Sequence, residues 1–234
     1  MRLDKFLCEL NIGTRSQVKA YLKQGLVTVN GSVVKKPEEK VDETSDTVTF
    51  KGKALKYQPF VYYMLNKPNG VVSATQDNTC KTVLDLIESD RKKDLFPVGR
   101  LDKDTEGLLL ITNDGELAHN MLSPKKHVDK TYLVGITHAL KSDDIQALEK
   151  GVDIGEDKLT LPAKVKVISE KEILLTIHEG KFHQVKRMLQ AVSNEVVALK
   201  RVTFGALTLD DNLKTGEYRE LTLEEIGELH ADGY

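Results

Sequence analysis

Among the first eleven positions the apolar residues Leu3, Phe6, Leu7 and Leu10 fall at the spacing of one helical face, and the pattern stops near Gly13. Thr14-Arg15-Ser16-Gln17 then has the form of a capping box, a hydroxyl residue followed three positions later by a glutamine. It predicts a second helix through Val18, Tyr21 and Leu22 that finishes at Gly25. Val27-Thr28-Val29 and Ser32-Val33-Val34 alternate around Asn30-Gly31, two residue types that accept the positive φ of a two-residue hairpin turn. The opening of the chain therefore predicts a helix, helix, hairpin unit. Arg15, Lys19 and Lys23 recur every fourth residue, so they share one face of the second helix.

From Phe50 to Pro59 the chain carries Lys51, Gly52, Lys53 and Lys56 and no acid, which reads as a basic connector with a boundary near residue 58. Two domains follow, residues 1–58 and 59–234. In the second, strand-like runs at Val61–Asn66, Leu108–Thr112, Thr131–Ile136, Leu161–Val167, Ile173–Ile177 and Val196–Lys200 alternate with helical stretches near 82–89, 115–122, 141–150 and 182–193. That pattern predicts an α+β fold with a mixed, mainly antiparallel sheet. No repeat of 20–50 residues and no low-complexity segment points to a solenoid or a disordered arm.

With 234 residues the chain can bury a sizeable core without disulfides or metals. Cys8 and Cys80 are its only cysteines, far apart and outside any metal-ligand spacing, as expected of a reducing cytoplasm. Met1-Arg2-Leu3-Asp4-Lys5 has charges where a secretory signal needs an apolar run, and no stretch approaches the roughly 18 apolar residues of a membrane helix. A soluble cytoplasmic protein without a membrane partner is the expectation. The net charge of −2 argues against a nucleic-acid partner until its distribution is read. Residues 1–60 hold 11 Lys and Arg against 7 Asp and Glu, whereas residues 210–234 hold 2 against 8. A basic front end can bind phosphates despite an acidic tail, because charges are screened over about 8–10 Å at ordinary salt.

The segment with most chemistry is Pro97-Val98-Gly99-Arg100-Leu101-Asp102-Lys103-Asp104-Thr105-Glu106-Gly107-Leu108-Leu109-Leu110, where charges crowd between apolar stretches bounded by glycines. Asp102, Asp104, Glu106 and Gly107 copy the first half of an EF-hand loop, but its twelfth position is Asn113 where calcium needs a bidentate Glu. No metal is expected. The remaining reading is a carboxylate nucleophile or acid/base pair, with Arg100 near enough to favour an ionised Asp. Asp104 reads as a solvated neighbour in the same loop.

Gly99-Arg100-Leu101-Asp102 with Thr105-Glu106-Gly107-Leu108-Leu109 resembles the active-site segment of the RsuA-type pseudouridine synthases. Leu65-Asn66-Lys67-Pro68-Asn69-Gly70, Lys130-Thr131-Tyr132-Leu133-Val134 and Glu179-Gly180-Lys181-Phe182-His183-Gln184-Val185-Lys186-Arg187-Met188 fall in the same family order. Residues 2–50 resemble the S4 RNA-binding fold, so the resemblance spans nearly the whole chain. It implies that Asp102 is the nucleophile that detaches uracil from its ribose so that the base rotates and rejoins through carbon 5. A carboxylate suits that role, as it does in glycosidases. The resemblance also makes Tyr132 the residue that stacks on the flipped base and handles protons, and Lys186 the cation paired with the aspartate. Arg100 and Arg187 are assigned to phosphate binding or loop orientation. His183, with no Asp partner in the sequence, reads as a structural hydrogen-bonder or an RNA contact, and Arg15, Lys19 and Lys23 as phosphate ligands of the S4 unit.

The reaction is an isomerisation, so no cofactor is implied. The segments Ser123-Pro124-Lys125-Lys126-His127 and His183-Gln184-Val185-Lys186-Arg187 resemble the small-subunit branch of the family, which implies 16S ribosomal RNA, the family's uridine 516 site, as substrate. The expected partner is that RNA or a small-subunit assembly intermediate, bound by a monomer. The alternatives are a synthase acting on 23S rRNA and a non-catalytic S4-type assembly protein. The presence of Asp102, Tyr132 and Lys186 together favours the enzyme.

Overall fold

The structure is a computed structural model that describes residues 1–89 and 91–231. The chain folds into two compact units, Met1–Val61 and Tyr62–Tyr234.

In the first unit, α1 (Leu3–Glu9) is followed by α2 (Arg15–Lys23), whose N-terminus is closed as its sequence predicts. Thr14 Oγ1 accepts from the Gln17 amide, and Gln17 Oε1 accepts from the Thr14 amide at 2.8 Å. Leu3, Phe6 and Leu7 of α1 pack on Val18 and Leu22 of α2 and on Val27, Val41 and Val48, so the apolar stripe of each helix faces one small core. β1 (Val27–Val29) and β2 (Ser32–Val33) pair around Asn30 and Gly31, both at positive φ, as a primed hairpin turn requires. The segment expected to be a connector is instead a second hairpin. β3 (Val48–Phe50) pairs with β4 (Lys53–Leu55) around Lys51 and Gly52, again at positive φ, to give the sheet order β2-β1-β3-β4. A lysine at the first turn position hides the hairpin signal that Asn-Gly displays, and β4 is too exposed to show an apolar alternation.

The second unit contains β5 (Tyr62–Lys67), β6 (Phe96–Val98), β7 (Glu106–Thr112), α3 (Gly115–Leu122), β8 (Lys130–Ile136), α4 (Ser142–Lys150), β9 (Lys164–Ser169), β10 (Glu172–Ile177), α5 (Gln184–Ala191), β11 (Val196–Phe204), β12 (Leu207–Thr208), β13 (Tyr218–Glu220) and α6 (Leu223–Ala231). Among the described residues the sheet order is β13-β5-β7-β11-β8-β10-β9, with β6 added to β7 and β12 to β11. The strands of this sheet pair antiparallel among the described residues, except β7 with β11. The fold is therefore α+β with a mixed, mainly antiparallel sheet. Tyr62, Met64, Leu108 and Leu110 occupy alternate positions of β5 and β7 and pack against Leu117, Ala118 and Met121 of α3.

Three elements differ from their sequence prediction. The stretch 82–89 forms only a short 3-10 turn, Val83–Leu86. β9 begins at Lys164, three residues after Leu161, because Pro162 has no N–H to give a ladder. β11 begins at Val196 as predicted but runs on past Lys200 to Phe204, because the irregularity at Arg201/Thr203 breaks the alternation that would have marked its second half.

Candidate active site

The Asp-rich segment forms the loop between β6 and β7, and the second unit holds it through its backbone. Ser73 Oγ donates to the Leu101 carbonyl at 2.9 Å and accepts from the Leu101 amide at 3.1 Å. The Gly70 amide donates to the Lys103 carbonyl at 2.8 Å. Lys67, the last residue of β5, is fully buried, and its ammonium donates to the carbonyls of Thr105 at 2.8 Å, Pro68 at 3.1 Å and Lys103 at 3.3 Å. Burial pulls the Lys67 pKa down to about 8, against the opposing pull of Asp104, Glu106 and Asp102. The loop is thus held before Asp102 by Ser73 at Leu101 and after it by the Lys67 ammonium at Lys103 and Thr105, while the Asp102 and Asp104 side chains stay partly in solvent. At the far end of the loop Gly107 has a φ of 100°, and a Cβ there would lie 2.2 Å from the Arg201 carbonyl oxygen. Only glycine lets β7 and β11 run this close in parallel.

α5 supplies the opposite wall. Its start is set by Gln184, a buried residue whose side chain accepts from the Lys181 amide and donates to Glu179 Oε1, both at 2.9 Å. Lys186 lies in the first turn, where the helix dipole disfavours a cation. Carboxylates offset this. Lys186 Nζ is 2.6 and 2.8 Å from the two oxygens of Asp104 and 3.6 Å from Asp102 Oδ2. The ammonium hydrogen-bonded to Asp104 holds that carboxyl below the usual range. His183 Nε2 stands 3.6 Å from Asp102 Oδ1. Asp102 is therefore flanked by Lys186 on one oxygen and His183 on the other, an aspartate partner for this histidine that sequence order conceals. Asp104, read from the sequence as a solvated neighbour, is in fact the tighter partner of Lys186.

Tyr132 lies on β8, buried, and the register places it opposite Arg201 of β11, which lies opposite Gly107 of β7. Arg201 is buried and forms no ion pair with a carboxylate among the described residues. Its Nε donates to the Leu108 carbonyl at 2.9 Å, its guanidinium lies 4.5 Å from the Phe204 ring centre, and Nη2 has no partner among the described residues. Burial lowers its pKa, partly offset by the neighbouring Tyr132 side chain. Arg100 is exposed on the loop. Arg187, expected to meet RNA or orient the loop, is turned inward onto Glu156 at 2.8 Å and onto the carbonyls of Phe182 and Ile154. Arg15, Lys19 and Lys23 are exposed on α2 of the first unit.

Residues 61–191 match the RNA pseudouridylate synthase family. The chain belongs to that family. Residues 1–48 of this synthase match the S4 domain. It is 50% identical to the uncharacterized RNA pseudouridine synthase YtzG of Bacillus subtilis over 97% of each chain. It is 46% identical to ribosomal small subunit pseudouridine synthase A of Vibrio cholerae over 98% of this chain and 99% of that one. A crystal structure of a pseudouridylate synthase superposes with a TM-score of 0.70 at 38% identity, covering 98% and 99% of the two chains. The activity is therefore the isomerisation of uridine in RNA.

The synthase also uses residues that sequence reasoning passed over. Lys67 stood within a family-like segment but had no role assigned, because burial of a lysine is not legible from its neighbours. Ser73 and Arg201 carry no local signal at all, since each acts on a loop or strand at least 28 positions away. No helix of the described residues is long and apolar enough to cross a membrane.

Proposed function

We propose that this synthase isomerises a uridine of 16S ribosomal RNA, with Asp102 as nucleophile, Lys186 as its countercharge and Tyr132 against the flipped base. The observation that carries the reading is the position of Lys186 Nζ between Asp102 and Asp104, above a loop whose backbone is fixed by Lys67 and Ser73. A carboxylate so placed can attack an electron-poor carbon of the extruded nucleotide. The bond from ribose carbon 1′ to N1 breaks, uracil turns, and a bond from carbon 1′ to carbon 5 forms. The proton on carbon 5 is lost and N1 gains one, so the reaction needs no redox or group-transfer partner. The small-subunit substrate is supported by relatives such as that of Vibrio cholerae, whose names specify it. Arg100 and the α2 cations Arg15, Lys19 and Lys23 are the phosphate ligands in this reading. Arg187 braces the turn before α5 and has no direct RNA role in it.

The test is tritium release from carbon 5 of a labelled 16S transcript. Asp102→Asn keeps size and most hydrogen bonding, so the protein should fold, with a loss of about 1 kcal/mol at most, and bind RNA while turnover drops below detection. Release at a rate close to that of wild type would sink the nucleophile. Pseudouridine mapping in cells with and without the gene, with uridine 516 the expected site, tests the substrate. Loss of a 23S modification alone would reassign it.

A further inference from the structure

Phe182 is 74% exposed, although an aromatic side chain left in water forgoes roughly 1.5–3 kcal/mol of burial. It is not a loose surface residue. Its carbonyl accepts from Arg187 Nη1 at 3.1 Å, and Arg187 is itself held by Glu156 and the Ile154 carbonyl. Gln184 closes the same turn by accepting from the Lys181 amide. The imidazole of His183 lies on one face of the Phe182 ring, centroids 3.8 Å apart and planes 18° from parallel. His183 takes a left-handed conformation, φ 48° and ψ 35°, which a residue with a side chain adopts at a cost and which clusters at functional sites. The same imidazole stands 3.6 Å from Asp102. A largely exposed aromatic ring, one face covered by His183, is therefore mounted on a hydrogen-bonded turn one side chain away from the proposed nucleophile.

We infer that Phe182, backed by His183, is a stacking platform for an unpaired nucleobase next to the uridine presented to Asp102. The inference rests on the reading of Asp102 as the reacting group. A π-face binds every base, so the platform contributes affinity and register on the strand and reads no base edge. It suits single-stranded RNA, whose bases are already free to stack, and an extruded target leaves its neighbour unstacked.

The experiment uses the full chain and a synthetic 16S fragment spanning the modified uridine, in which each flanking nucleotide is made abasic in turn. Phe182→Ala should raise KM about 10-fold, within the range of one base–aromatic stack, with kcat kept within about twofold. Phe182→Tyr should behave as wild type, and Phe182→Leu, apolar but without a π-face, as Ala. One abasic position should impose the same loss on wild type and no further loss on Phe182→Ala. An unchanged KM in Phe182→Ala, full recovery by Leu, or additive losses at every abasic position would overturn the platform. If wild type releases no tritium from any 16S fragment, the functional reading itself fails and the platform falls with it. A working wild type beside an unaffected Phe182→Ala overturns the platform alone.

Discussion

Lys186 answers to two carboxylates at once, and that sharing decides what each substitution at the site should do. Its shorter contact is to Asp104, at 2.6 Å, and the longer is to Asp102, at 3.6 Å. In Lys186→Met both carboxylates lose their cation, so the pair should take up a proton at higher pH, moving the acid limb of kcat/KM upward and cutting the plateau. In Lys186→Arg the charge stays and much of the activity should remain. Asp104→Asn acts in the opposite sense. It removes an anion and releases the ammonium toward Asp102, so the acid limb should stay or move down while kcat falls far less than in Asp102→Asn. A pH–rate profile of the three variants checks the signs. Equal shifts in Lys186→Met and Asp104→Asn would show that Lys186 has no electrostatic part in turnover.

At the scale of elements, β5 and the loop before β7 are coupled through the buried Lys67, and the coupling is pH-dependent. Burial lowers its pKa from the ordinary 10.5 to about 8, so between those values the unfolded chain binds more protons than the folded one. Stability contributed by this group therefore rises as pH climbs from about 8 towards 10.5, by at most about 1.4 kcal/mol per pH unit. Activity should move the other way, because a neutral amine has two N–H donors for the three carbonyls of Pro68, Lys103 and Thr105. Urea unfolding at pH 7.5 and 9.5 should give a rise in wild type that Lys67→Met lacks in part; the remainder belongs to Lys130, also held at about 8 by burial. A wild type no more sensitive to pH than Lys67→Met would refute the coupling. α3 offers a simpler case. Asp114 caps it by accepting from the amides of Glu116 and Leu117 and also accepts from the buried Tyr62 hydroxyl at 2.8 Å, so Asp114→Ala should cost about 2–3 kcal/mol in urea unfolding. A cost below about 1 kcal/mol would mean that neither bond matters. Elements with their own signals were legible in sequence, such as the Thr14 capping box, the Asn30-Gly31 turn and the apolar face of α3. Those set by distant partners were not: β4 needed β3 beside it, the second half of β11 hid its alternation in an irregularity at Arg201/Thr203, and the Lys67 anchor shows only once β5 and the Asp102 loop are brought together. At the candidate site, the family resemblance offered Asp102, Tyr132 and Lys186 as candidates, whereas the Asp102–His183 approach and the inward turn of Arg187 depend on how α5 begins.

For the whole molecule, a net charge of −2 would repel a polyanion if it were spread evenly, yet the chain is built as a basic first unit and a C-terminal segment rich in acid. Two of the eight acids of residues 210–234 share one cation, since Arg219 is held by Asp210 and Glu225, both at 2.8 Å. The cations of α2 are placed otherwise. Arg15, Lys19 and Lys23 lie exposed along a stripe of the helix that runs beside the one anchored by Val18 and Leu22, so they can meet phosphates while the core contacts stay in place. Each phosphate contact releases roughly 0.7–0.9 of a counterion, so replacing all three by Ala should lower the slope of log K against log salt by about 2–3. The affinity loss should be greatest at low salt and small at high salt, because screening already weakens those contacts there. Stability should change little, within about 0.5 kcal/mol for each substitution, and kcat at saturating RNA should survive, since none of the three lies in the unit that carries Asp102. Binding of a 16S transcript measured between 50 and 300 mM salt separates the outcomes. A parallel drop at every salt concentration would mean that the three residues shape the unit and do not hold phosphate, and an unchanged curve would remove α2 from the RNA-binding surface.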